Sequence, residues 1–301
     1  MSEAAIIDRR ALLKLDRYTF VVRRIRAGAM KGERRSTRRG TSIEFADYRN
    51  YVAGDDLRRI DWNVFARLDR PYLKLYEEEE DLAVHLLLDA SASMDFPREG
   101  DGNEKFHKFH YSQRVMAALA YIALKGDDQL AITALYGPRQ NVTWGMARGR
   151  GRIKQALNYV EALRPAGNLE LSGALKDYVS KVKRPGVAIL ISDLLSPNYQ
   201  EGLTALRNAG HDVTVIHVLS PEEIEPPLAG DLQLIDVETG ASADVTIDGS
   251  LRSLYQQRLL AWRDEIGVFC RKRNITYVTV ETSTSWESMI QFDLRRLNVV
   301  K

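Results

Sequence analysis

Asp89, Ser91 and Ser93 follow one another in the spacing Asp-x-Ser-x-Ser, directly after an apolar run over residues 82–88. A buried strand that ends there delivers one carboxylate and two hydroxyls together at its C-terminal tip. Oxygen-only ligands on a loop suit a hard divalent cation, Mg²⁺ with Mn²⁺ or Ca²⁺ as substitutes, and not zinc, copper or a cluster. A second apolar run, residues 187–191, ends in Ser192-Asp193. Two hydrophobic strands that each finish in an aspartate are what a metal site on a sheet rim requires. Open α/β sheets also bind their ligands at the carboxyl ends of strands. Ser and Asp equally favour helix starts, so a plain polar turn draws on the same residue types.

The elements that must position these residues alternate from residue 82 onward. Apolar runs predict strands at 82–89, 129–136, 140–144, 187–192, 212–219 and 276–280. Helical spacing predicts helices near 106–125, 150–163, 171–182, 199–209, 250–273 and 285–297. A polar excursion over about 228–249 holds a hairpin, residues 232–237 with 244–247. Such alternation indicates a doubly wound α/β fold with a mostly parallel sheet and helices on both faces. Ahead of it, residues 9–26 read as a helix, 27–42 as a basic, glycine-punctuated loop, and 72–76 as a strand leading to the core. The expected division is therefore 1–80 as an N-terminal segment packing on a main domain at 81–301.

Composition sets limits on the rest. The chain has 301 residues, 45% of them hydrophobic, enough for one large core. Its formal net charge of +2 argues neither for nor against a polyanionic partner. The apolar runs are shorter than the roughly 20 residues a membrane helix needs, and the N-terminus lacks the pattern of a signal peptide. One cysteine, Cys270, excludes an internal disulfide framework and any cysteine-rich zinc site. The expectation is a soluble, cytoplasmic protein.

Residues 40–62 form a second motif, dense in ion-pairing and aromatic side chains: Glu44, Phe45, Arg49, Tyr51, Gly54, Asp55, Asp56, Arg58, Asp61 and Trp62. Arg49 and Arg58 suit two-pronged binding of Glu44, Asp55, Asp56 or Asp61. Tyr51 and Trp62 suit apolar cover over that network, and Gly54-Asp55 a tight turn. A structural network is the favoured reading and a partner surface the alternative.

Together these motifs resemble two families. The strand-end Asp-x-Ser-x-Ser resembles the metal-ion-dependent adhesion site of von Willebrand factor A domains. That resemblance implies direct Mg²⁺ ligation by Ser91 and Ser93, with Asp89 and Asp193 acting largely through water. The family's threonine ligand is absent from this chain. Asn168 stands in its place within Ala166-Gly167-Asn168-Leu169-Glu170-Leu171-Ser172, and Ser172 is the nearest hydroxyl. The Gly40-x-Ser42-x-Glu44-Phe45 to Gly54-Asp55-Asp56-x-Arg58-x-Ile60-Asp61-Trp62 string resembles the domain of unknown function 58 family over nearly the whole chain. That likeness implies a non-catalytic adaptor working with a MoxR-type AAA+ ATPase or its client in protein assembly or maturation.

Other functions find less support in the residues. Residues 23–39 are strongly basic and could track nucleic-acid phosphates, as could Arg148, Arg150 and Arg152; a solvated or ion-paired face is the simpler expectation. A metal-dependent hydrolase would need a general base beside the site, and no histidine is positioned by sequence to be one. His107 and His110 are expected on a solvated helix face, and His85, His211 and His217 in the core or its turns. No phosphate-binding glycine loop is present, so nucleotide hydrolysis belongs elsewhere.

Overall fold

The structure is a computed structural model that describes residues 6–21, 43–52, 54–78, 82–98, 104–227, 230–235, 242–247 and 249–301. The basic segment 23–39 lies outside the described residues. Chain contacts divide the protein into two units, residues 1–25 with 82–301, and residues 26–81. The expected boundary near residue 80 is corrected at the N-terminus, because residues 6–21 belong with the larger unit. There Ile7 and, on helix α1 (Arg9–Leu15), Ala11 and Leu15 are buried in the main core. The helix expected to run to residue 26 stops at Leu15. Beyond it, Thr19, Phe20 and Val21 are extended, and Thr19 and Val21 bond residues 299–301 through their backbones. The cluster of β-favouring side chains at residues 18–22 explains the change.

The smaller unit pairs β1 (Ile43–Asn50) antiparallel with β2 (Tyr72–Glu78), joined through a short helix, α2 (Trp62–Leu68). The strand expected at 72–76 is present, as β2, and its partner is β1.

The larger unit builds a six-stranded sheet. Its strands are β3 (Ala83–Asp89), β4 (Gln129–Leu135), β5 (Val142–Ala147), β6 (Val187–Ser192), β7 (Asp212–Leu219) and, after the hairpin β8 (Gly230–Ile235) and β9 (Ser242–Ile247), β10 (Thr276–Glu281). The sheet order is β10-β7-β6-β3-β4-β5, parallel throughout except for β5. Counting only these six strands gives the doubly wound order 3-2-1-4-5-6, which reverses direction between β3 and β6. Both faces are covered. Val84, Leu86, Leu88, Ile189, Ile191, Ile216 and Val218 face one core with α3 (Lys108–Lys125) and α4 (Ile153–Ala162). Leu87, Leu190, Val213 and Val215 face the other, with α5 (Leu171–Lys181), α6 (Tyr199–Asn208) and, beyond the short α7 (Pro221–Ile224), α8 (Gly249–Lys272). Two buried faces explain why these strands read as unbroken apolar runs. The C-terminal helix expected near 285–297 is a short turn, Trp286–Ser288, continued as a π-helix over Met289–Leu294.

Candidate functional site

The crevice where a doubly wound sheet reverses is where such folds bind ligands. Here it is bounded by the tips of β3 and β6, so Asp89 and Ser192-Asp193 meet across one strand spacing. The Ser192 hydroxyl donates to Asp89 Oδ2 at 2.6 Å. Asp89 Oδ1 accepts from the Ser91 backbone N–H at 3.0 Å and from its hydroxyl at 2.5 Å. The Ser91 and Ser93 hydroxyls lie 3.0 Å apart. The Ser93 hydroxyl also helps, as the least of several causes, to hold Asp193 below the ordinary carboxylate range. Ser91 is buried and Ser93 half-buried, so Ser93 is the outward-facing member.

The loop that carries Asn168 arrives beside these residues. The Ala92 N–H donates to the Gly167 carbonyl at 2.8 Å, and the Ala166 N–H to the Ala90 carbonyl at 2.7 Å. These bonds hold exposed Asn168 next to the β3 tip. Ser172 is placed differently. Its hydroxyl donates to the Asn198 carbonyl and accepts from the Gly202 N–H at 3.0 Å, fastening α5 to α6.

One participant has no counterpart in the sequence reading. Lys108, the first residue of α3, is fully buried. Its ammonium donates to Asp193 Oδ2 and to Glu223 Oε1, each at 2.7 Å. Glu223 is fixed by the capping box that starts α7, accepting from the Ser220 backbone N–H at 2.9 Å. α3 buries fourteen of its eighteen residues, the lysine in its first turn among them.

The electrostatics follow from these partners. Burial, then the nearby Asp193 charge, pushes the Asp89 carboxyl up to about 6. Burial alone would raise Asp193 as well, but the Lys108 ammonium beside it holds it below the ordinary range. Burial outweighs the same ammonium at Glu223, whose carboxyl is raised. Asp193 and Glu223 thus share one ammonium, and Asp89 adds a third carboxylate beside Asp193, so negative charge is in excess when all three are ionised. That excess and the all-oxygen donor set fit a hard divalent cation. Among the described residues no group of three His, Cys, Asp or Glu side chains forms a metal cage by itself. Hydroxyls would have to complete the ligand set.

The histidines are mostly interior. His107 is buried, not on a solvated face, because its Nε2 reaches Asp95 Oδ1 at 3.1 Å; its ring stacks on the exposed His110 at 4.2 Å. His85, His211 and His217 are buried in or beside strands. The Cys270 thiol is buried and pushed up to about 12, chiefly by burial.

In the smaller unit the expected network is built from caps. Asp55 accepts from Arg49 at 2.8 Å and from the Val52 N–H at 2.9 Å, beside Gly54 at φ 107°. Asp56 accepts from the backbone N–H of Arg58 at 3.0 Å. Asp61 starts α2, accepting from the Asn63 and Val64 N–H groups and from the Tyr48 hydroxyl. Trp62 is not apolar cover: it is 60% exposed, edge-on to Phe65. Tyr51 is half-buried, and its N–H donates to the Pro71 carbonyl. Glu44 and Phe45 lie on β1, their side chains outside the described set.

A doubly wound α/β unit with an oxygen-rich cluster at its switch point defines the class of this protein. The chain belongs to the family described as "Protein of unknown function DUF58", whose model matches residues 47–265. Uncharacterised proteins of Mycobacterium bovis and Mycobacterium tuberculosis are 29% identical over 264 residues, covering 86% of this chain and 81% of theirs. Among solved structures, BatB from Bacteroides thetaiotaomicron aligns with a TM-score of 0.44 and 15% identity, over 72% of this chain and 98% of that one. An aerotolerance-related membrane protein from Bacteroides fragilis aligns with the same TM-score and identity, over 71% and 99%. No described helix is long and apolar enough to cross a membrane.

Proposed function

We propose that the protein is a non-catalytic adaptor of the von Willebrand A type, which captures a partner's carboxylate through a divalent cation. Ser91 and Ser93 ligate directly, Asp89 and Asp193 orient bound water, and Asn168 stands where the family's threonine would. Ser172 is left out of the set, its hydroxyl being engaged between α5 and α6. Mg²⁺, or Mn²⁺ or Ca²⁺ in its place, supplies an open coordination position for an incoming Asp or Glu. The partner is a MoxR-type AAA+ ATPase or its client, and the process is protein assembly or maturation.

The observation that carries this reading is the hydrogen-bonded cluster of Asp89, Ser91, Ser93 and Ser192 at the tips of two adjacent strands, with the Asp193 carboxylate beside it. Lys108 keeps Asp193 ionised and fixed, and Ser192 orients Asp89. Calorimetric titration with Mg²⁺ should show one binding event in the native chain. Asp89→Ala should weaken it at least about tenfold, one lost charged ligand interaction being worth about 1.5–3 kcal/mol. Capture of a MoxR-type AAA+ ATPase should disappear in EDTA. Absence of heat with the native chain would overturn the reading.

A further inference from the structure

Helix α8 has 24 residues, and only Ile266, Gly267 and Cys270 among them are buried. Its first turns stand clear of the core: from residue 249 to 258 every residue is exposed except half-buried Leu251. At 3.6 residues per turn a helix of this length spans about 36 Å, and residues seven apart share a face. Leu254, Ala261 and Val268 are such a set, all exposed, on the side of the helix opposite Ile266 and Cys270. Leu254 is 49% exposed and Val268 39%. A single surface leucine needs no explanation. An apolar row at seven-residue spacing along an outer face is the pattern of a helix-pairing seam.

The residues beside the row decide what fits on it. Arg258 and Glu265 border it on one side, Gln257 and Asp264 on the other, and all four are exposed. Among the described residues the side chains of Arg258, Asp264 and Glu265 make no hydrogen bond or ion pair. A second α8 laid antiparallel about Ala261 matches the first. Leu254 of each copy then meets Val268 of the other, and Ala261 meets Ala261, where a small side chain lets the helices approach closely. On one flank Arg258 comes within one residue of level with Glu265 of the second copy, twice over. On the other flank Gln257 stands in the same relation to Asp264. A parallel pair would instead set Arg258 level with Arg258 and Glu265 with Glu265. A patch complementary to itself about a two-fold axis is what a symmetric dimer requires, and an unrelated partner makes no such demand.

We propose that the outer face of α8 pairs antiparallel with the same face of a second copy of this chain. The pair would hold two candidate sites in one particle, because α8 passes beside Glu223, whose carbonyl accepts from the Tyr255 hydroxyl. The inference does not depend on the cation reading, and its test is made in EDTA.

Sedimentation equilibrium of the full chain, from micromolar to submillimolar concentration at low ionic strength, measures the pairing. The native chain should fit monomer and dimer with nothing larger. Arg258→Glu and Glu265→Arg each bring like charges together at two symmetry-related places, so each alone should weaken the dimer at least about fivefold. The double variant exchanges the two charges and should recover the native affinity. Ala261→Arg, which puts two bulky cations face to face on the axis, should leave monomer only. All four changes fall on exposed side chains, so far-ultraviolet circular dichroism and melting should match the native chain. A native chain that stays monomeric throughout, or a dimer indifferent to both single reversals, would overturn the proposal. Failure of the double variant to recover would overturn it as well.

Discussion

Lys108 Nζ lies 2.7 Å from Asp193 Oδ2, joining the first turn of α3 to the tip of β6 across 85 residues of sequence, with neither side chain open to solvent. The ammonium is the only positive charge in direct contact with the candidate site's carboxylates among the described residues. It keeps Asp193 ionised in a dry setting that would otherwise raise its carboxyl.

Lys108→Met should therefore destabilise the protein more than an ordinary core substitution. Removing one partner of a buried ion pair strands the others, at a cost of about 3–5 kcal/mol. Urea unfolding of the native and variant chains in EDTA measures this directly. A loss below about 1 kcal/mol would mean that the carboxylates simply take up protons.

Acid should destabilise the fold through its buried histidines. His85 Nε2 donates to the Arg184 carbonyl at 3.0 Å, and its Nδ1 accepts from the Tyr178 hydroxyl at 2.7 Å, which suits the neutral ring. Burial first, then His211, pushes His85 down to about 4, and burial does the same to His217. The unfolded chain takes up these protons below pH 6.5 while the folded one does not. Stability is thus full above 6.5 and falls towards pH 4, by roughly 3 kcal/mol for each histidine. Asp89, raised to about 6, works in the opposite sense over the range between 6 and its ordinary value of 3.8. The difference in pH profile between the native chain and His85→Gln isolates one histidine. The variant's profile should be flatter across that interval.

Gly186→Ala should cost about 1–3 kcal/mol or more by overpacking. A β-carbon at this position would run into the Ala83 carbonyl oxygen, where β6 enters alongside β3. Because this pair of strands carries both aspartates, the same variant should also weaken Mg²⁺ binding. Thermal melting and Mg²⁺ titration of one preparation test the two effects together.

How much of this was legible in the sequence depends on range. Asp89 and Asp193 were visible because each ends an apolar run, and a strand buried on both faces cannot continue past a charge. Their meeting was then implied by the doubly wound order. Lys108 and Glu223 were not visible, since their partners are 85 and 115 residues distant and neither ends a periodic pattern. Ser172 was misjudged by proximity along the chain; its hydroxyl turned out to hold two helices together. The short α1 was overextended because helical spacing continued past Leu15, where pairing with the chain's last residues overrode it. Trp62 shows the reverse failure: an aromatic beside a capping aspartate looked like cover, while the cap alone satisfied the backbone.

The pairing of residues 19–21 with 299–301 has a consequence for handling the protein. Thr19 and Lys301 exchange backbone bonds in both directions, and Val21 donates to Val299, so head and tail of the larger unit are latched side by side. Trimming the last three residues would unfasten the first helix as well.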